Sequence, residues 1–452
     1  MSWSKIFFSA LLMLSMSLTA NAASAPVVID KGIFDGGIIR VTGIADVYGD
    51  GEKLSTAIVQ YPKAISPKSV SPDDFVIEGR TVDAVFVNDK PESTKQSVVG
   101  VYVILKLKHE NSVFDGSLEQ KPARPANRSD TQSKDAPMRS NRQAPDLKFS
   151  VQQVGTVVAA DGTTYFPAMS AVESSMVSCP TIEKFRQMEF TSSSGVTIPY
   201  NVYLPRTYSS QTTYPMVVFI ADASANINDV TTPLFQGNGA TVFASTAEQR
   251  KHECIVLAPQ YTADLVERLG MMTTDENVWT PGLELVSELI FDAAQRFHVD
   301  PERIYGTGQS QGCMANIAIS DRYPDFFAAQ LLVAGQWNVD EMVALKDKKL
   351  WIVVCEGDKK AYPGMNAAVE RWRSLGSNVA VGDKFLNSKA PVAEINAQLR
   401  ELEAKGADIN YTVFEGGNHM YTWSFAYNLS ALRDWLFRQK LDKPLDVEPT
   451  EE

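Results

Sequence analysis

The chain is 452 residues long, more than one hydrophobic core ordinarily serves, so two folded units are expected. Apolar residues make up 44% and charged residues 21%, the balance of a globular protein, which excludes a disordered or fibrous chain. A formal net charge of -12 with a pI near 5.0 excludes a phosphate-backbone binder, whose surface has to be basic, so no nucleic-acid partner is expected.

The first residues read as a targeting segment. Lys5 gives a positive start, residues 6–18 are apolar apart from serines, and Ala20-Asn21-Ala22 is the small-x-small pattern of a signal-peptidase site. The apolar run is shorter than the roughly 20 residues a bilayer span takes. A signal peptide over 1–22 is therefore expected, with a secreted or periplasmic product and no membrane insertion after its removal. Four cysteines come later, Cys179, Cys254, Cys313 and Cys355, far apart and without the close spacing of a zinc site, so no metal is expected. Both bridges and buried free thiols fit them.

Residues 25–178 have a β texture. Val99, Val101, Val103, Leu105 and Leu107 alternate with Tyr102, Lys106 and Lys108, the period of a half-buried strand. Shorter runs of the same kind at 38–41, 57–61 and 82–87, separated by turn residues, predict a small antiparallel sandwich. Within it, 119–148 is proline-rich and lacks aromatic residues, which predicts a flexible loop.

Residues 179–440 alternate strand and helix. A hairpin is expected around Ser194-Gly195, and the continuous apolar run at 216–221 and runs of similar type at 254–258, 329–334 and 350–354 read as strands buried on both faces. Shorter strands are expected at 303–306 and 411–414. Between them, Thr280 and Pro281 open a helix whose Leu283, Val286, Ile290, Ala293 and Phe297 share one face. A helix over 392–404 fits either a lid or an ordinary surface helix. The alternation predicts a parallel sheet covered on both sides, with an acidic tail at 441–452 after it.

Gly308-Gln309-Ser310-Gln311-Gly312 sits between a predicted strand and a predicted helix. Such a tight turn needs small flanking residues, lifts the serine hydroxyl above the sheet edge, and makes Ser310 the candidate nucleophile. A serine needs a base. Of the four histidines, His109 lies in the β-rich unit, and His252 and His298 precede strands, which puts them at the opposite sheet edge. His419, after the strand at 411–414, is the candidate base. The acid should come after the strand at 350–354, where Asp358 is the candidate and Glu356 its rival. Backbone amides of Gln311 and of Ala223, in the loop after 216–221, are the candidate oxyanion donors. Trp337 and Trp423 are candidate pocket walls.

The stretch from Tyr305 to Gly312, with Ala258-Pro259-Gln260-Tyr261 upstream and Gly417-Asn418-His419 downstream, resembles secreted α/β-hydrolase esterases and predicted peptidases related to polyhydroxybutyrate-depolymerase and feruloyl-esterase-like enzymes. Some members carry an immunoglobulin-like domain before the hydrolase domain, and the β-rich first unit is similar. The resemblance implies an α/β-hydrolase fold preceded by an immunoglobulin-like sandwich, and hydrolysis of a small-molecule carboxylic ester through an acyl-enzyme on Ser310, without a cofactor. It leaves open a serine peptidase acting on short peptides and an inactive exported binding protein. Two positions depart from the pattern: Ala221-Asp222-Ala223 replaces the usual His-Gly oxyanion sequence, and the usual acid spacing would fall on Lys360.

Overall fold

The computed structural model describes residues 37–109 and 144–444. The expected signal peptide at 1–22, most of the loop at 119–148 and the end of the acidic tail lie outside the described residues. The first unit holds strands β1 (Arg40–Tyr48), β2 (Gly51–Ile65), β3 (Phe75–Ile77), β4 (Val82–Asn88), β5 (Gly100–Leu107), β6 (Ser150–Gln153), β7 (Val157–Val158), β8 (Thr164–Tyr165), β9 (Val172–Glu173) and β10 (Val177–Ser178). They form a five-stranded sheet in the order β10-β1-β2-β5-β4, a three-stranded sheet β3-β6-β9 and a two-stranded ribbon β7-β8. The inner faces enclose Val41, Val59, Tyr61, Val103, Leu105 and Val151. Tyr61 cannot bury its hydroxyl without a partner, and donates it to Gln153 Oε1 at 2.8 Å. In β5 the alternation holds for Val103, Leu105 and Leu107, but Val99 precedes the strand and is exposed. Ile104, on the other face, pairs with Ile58 of β2 and is buried as well.

The second unit is built on a nine-stranded sheet: β11 (Arg186–Thr191), β12 (Thr197–Tyr203), β13 (Tyr214–Ile220), β14 (Ile255–Pro259), β15 (Val299–Gln309), β16 (Ala329–Val333), β17 (Leu350–Cys355), β18 (Val379–Val381) and β19 (Ile409–Phe414). Their order is β11-β12-β14-β13-β15-β16-β17-β19-β18. β12 runs antiparallel to both its neighbours, β11 and β14, and the remaining pairs of the sheet are parallel. The continuous apolar runs have the cause expected of them, since alternate side chains enter different cores. Met216, Val218 and Ile220 of β13 join one core, whereas Val217 and Phe219 join the other. The edge strand β18 escapes sequence reading because it is three residues long and half exposed.

The covering helices are α1 (Thr232–Phe235), α2 (Thr246–Lys251), α3 (Ala263–Leu269), α4 (Pro281–Arg296), α5 (Gln311–Arg322), α6 (Ala361–Ser374), α7 (Val392–Glu403), α8 (His419–Ala426) and α9 (Ser430–Arg438). Thr280 caps α4 by accepting from the Leu283 amide at 3.1 Å, with Pro281 in the first turn. Helix α7 is no lid: it buries Ile395, Leu399 and Leu402 in the core it shares with α9. All four cysteines are free and buried. The two units meet at the turn between β1 and β2, where Gly49 lies so close to α8 that a Cβ on it would stand 1.8 Å from the Ser424 carbonyl oxygen.

Trp351 anchors the α8 and α9 side of the sheet. It is fully buried, donates its indole N–H to Thr412 Oγ1 at 3.0 Å, and meets Trp435 of α9 edge to face with ring centroids 5.4 Å apart. Trp351→Ala removes an aromatic side chain from a closed core and should cost about 3–5 kcal/mol of stability. Urea unfolding monitored by circular dichroism checks this, and a loss below about 1 kcal/mol would contradict the packing described.

Candidate active site

Because the central strands are parallel, the chain leaves them at one common edge, where ligands of open α/β sheets bind. Ser310 stands there between β15 and α5 with φ 52° and ψ -117°, a left-handed conformation that side chains rarely adopt. Its amide donates to the Val333 carbonyl at 3.2 Å, and its own carbonyl accepts from Met314 at 3.0 Å. The glycines on either side are demanded by contact. A Cβ at Gly312 would lie 1.8 Å from the Ile220 carbonyl oxygen, and one at Gly308 would lie 2.6 Å from the same atom.

His419 opens α8. After β19 the chain reverses through Gly416 and Gly417, both with positive φ, and Asn418 caps the helix by accepting from the Tyr421 amide at 3.0 Å. This directs the imidazole back to Ser310, with His419 Nε2 2.7 Å from Ser310 Oγ and Nδ1 2.6 Å from Asp358 Oδ2. The carboxylate can only accept, so Nδ1 carries the proton and Nε2 is free to receive one from the serine. Trp423 meets the imidazole edge on, with centroids 5.1 Å apart.

Asp358 is 2% exposed. Burial opposes its charge, but the hydrogen bond from His419 and those from the Ala361 and Lys360 amides, each 3.0 Å from Oδ1, together hold its carboxyl below the ordinary aspartate value. Glu356 is exposed and accepts from the Gly416 amide at 3.1 Å, away from the imidazole. The other histidines have different neighbours. His109 stacks on Tyr48, His252 stacks on Phe437 and pairs with Asp434, and His298 lies against Tyr208.

The loop after β13 is fixed by Asp222, which accepts from the Ser224 amide at 2.8 Å, from Gln236 Nε2 at 2.6 Å and from Gln309 Nε2 at 3.0 Å. Gln309 is the residue before Ser310, so this carboxylate ties the loop to the serine turn. Ala223 and Gln311 each stand first in a helical turn, where an amide has no intrahelical partner. Among the described residues, neither amide donates a hydrogen bond to the protein.

A cavity of about 480 Å³ opens over Ser310, His419 and Asp358. Its walls are Asp275, Met314, Gln336, Lys359, Lys360 and Asn418, with Gly357. Trp337 and Trp423 are not among them. Both are buried, Trp337 because its indole N–H is committed to Glu341 at 2.7 Å and Trp423 because it packs beneath the imidazole. Sequence reading missed Asp275 and Gln336, which come from loops with no motif of their own. Lys359 and Asn418 were within reach, since each adjoins a candidate residue. Among the described residues Glu248, His252 and Asp434 offer the donors of a metal site, but these carboxylates already pair with Arg433 and Lys251.

Residues 40–166 match the model of the esterase Ig-like N-terminal domain. A thermostable esterase is 22% identical over 89% of this chain and 100% of its own, with a TM-score of 0.68. A feruloyl esterase module from Clostridium thermocellum is 16% identical over 56% of this chain and 89% of its own, with a TM-score of 0.38. A poly(3-hydroxybutyrate) depolymerase from Bordetella parapertussis is 15% identical over 55% and 88%, with a TM-score of 0.33. None of the curated proteins compared with the chain matches it. The likeness to the thermostable esterase shows the fold, that of the α/β-hydrolases with an Ig-like domain in front.

If Asp358 is the group that orients His419, Asp358→Asn should lower kcat by roughly 10⁴-fold, because an amide supports the wrong tautomer. Glu356→Gln should change it less than about threefold, within the range of a surface substitution. Steady-state kinetics on both variants decides, and the reverse order would transfer the role to Glu356.

Proposed function

We propose that this protein is an exported serine hydrolase that cleaves carboxylic esters through an acyl-enzyme on Ser310. The observation that carries this reading is the unbroken relay from Ser310 Oγ through His419 to Asp358, with hydrogen bonds of 2.7 and 2.6 Å at the floor of an open cavity. Ser310 Oγ attacks the ester carbonyl while His419 Nε2 takes its proton. The amides of Gln311 and Ala223 receive the negative charge that develops on the carbonyl oxygen. The tetrahedral adduct collapses, its C–O bond to the alcohol breaks, and His419 returns the proton to the leaving alcohol. A water, deprotonated by the same imidazole, then releases the acid and restores the serine. No step calls on a metal or an organic cofactor. Asp358 stabilises the imidazolium formed at each stage.

Export rests on the leader-like residues 1–22, and among the described residues no helix is long and apolar enough to cross a membrane. The partner implied is a small-molecule ester.

A fluorophosphonate probe should label the wild-type protein stoichiometrically at Ser310, and Ser310→Ala should abolish labelling while lowering ester turnover at least about 10⁴-fold. Failure to label well-folded protein would remove the hydrolase reading in favour of a binding protein. Turnover of p-nitrophenyl esters should exceed that of peptide p-nitroanilides; the opposite preference would make the enzyme a peptidase.

A further inference from the structure

The cavity over Ser310 is poor in apolar side chains. Among the described residues Met314 is the one hydrophobic residue on its lining, alongside the amides of Gln336 and Asn418 and the charged Asp275, Lys359 and Lys360. A long acyl chain gains affinity by burying methylenes against apolar side chains, and of these the lining has Met314 alone. The charged groups are also unequal. Lys360 Nζ lies 2.7 Å from both oxygens of Asp275, so these two charges offset each other across the cavity mouth. Lys359 is exposed, lines the same cavity, and has no hydrogen bond or ion pair among the described residues. A chain of net charge -12 therefore presents an exposed lysine, with no hydrogen-bonded or ion-paired partner among the described residues, beside its candidate nucleophile. The uncharged neighbours add donors, because Asn418 uses its side-chain oxygen to cap α8 and keeps its NH₂ for a ligand.

We propose that the ester taken by this site carries a carboxylate or comparable anionic group near its scissile bond, paired with Lys359 and within reach of the Gln336 and Asn418 amides. This rests on the ester-hydrolase reading above. Lys359 adjoins Asp358 in the chain and so rides on the loop that holds the acid, close to the reacting centre whichever half of the ester bears the anion.

The test compares matched neutral and anionic esters. p-Nitrophenyl hemisuccinate against p-nitrophenyl butyrate places the anion on the acyl side; 4-butyryloxybenzoate against phenyl butyrate places it on the alcohol side. The wild-type enzyme should prefer the anionic member of at least one pair in kcat/KM. In that pair Lys359→Gln should reduce the preference about threefold to fivefold, and Lys359→Glu about tenfold, as expected for a partly exposed charge pair. Salt at 1 M, where screening acts over roughly 3 Å, should flatten the wild-type preference. The pair that responds identifies the half of the substrate that carries the anion. If neutral esters are preferred in both pairs, or if the preference is indifferent to Lys359, the proposal is overturned. If folded protein hydrolyses none of these esters, the ester-hydrolase reading fails first and takes this one with it.

Discussion

The chemistry of this molecule depends on one backbone contact, the first turn of α5 pressed against the end of β13. At Gly312 the approach leaves no room for a Cβ, which would stand 1.8 Å from the Ile220 carbonyl oxygen. That closeness forces the chain into a hairpin-tight passage from β15 to α5 and holds Ser310 at a positive φ costing of order 1–3 kcal/mol. The strain persists because both flanking elements are locked elsewhere. β15 pairs with β13 and β16 in the middle of the sheet, and α5 buries Cys313, Ala315, Ile317 and Ile319 beneath it. The same contact brings the loop after β13 beside the helix start, where the amides of Gln311 and Ala223 lack intrahelical partners.

Two carboxyl groups near Ser310 share the problem of being buried away from water, and they meet it differently. Asp358 is surrounded by donors of its own loop and by the His419 imidazole, so every partner it has here is a donor aimed at one carboxylate. Asp222 has donors from three separate segments, the 222–224 turn, the Gln236 side chain and the Gln309 side chain, with no cation among these partners. A buried carboxylate held in this way acts as a mechanical tie, since moving any of the three segments leaves an acceptor short of a hydrogen bond. The position taken by histidine and glycine in the related pattern is occupied here by this tie.

Much of the architecture was legible from the residues in order, and the reason is the regularity of a parallel sheet. Strands covered on both faces announce themselves as unbroken apolar runs, as at β13, β14 and β17, and their shared direction places the loops at their C-terminal ends along one edge. Ser310, Asp358 and His419 could therefore be picked by the strands that precede them, and His252 and His298 set aside by the same rule. The sequence ranks Asp358 ahead of Glu356 but keeps both in play, because the choice turns on which side chain faces inward from a two-residue offset in a loop. Cavity walls were harder still. Asp275 and Gln336 come from irregular loops that converge only after folding, and the two tryptophans suggested by hydrophobicity are drawn inward by their packing and, at Trp337, by a hydrogen bond to Glu341. Periodicity describes elements, whereas a pocket is made of the segments between them.

The four buried thiols carry a further implication. All four cysteines are buried and unpaired, and burial pushes the Cys179 and Cys355 thiols up to about 12 and raises Cys254 and Cys313 as well. Thiol–disulfide exchange proceeds through the thiolate, which such surroundings suppress. Native architecture here is indifferent to redox conditions: no crosslink has to be installed during maturation, and reductants have nothing to undo.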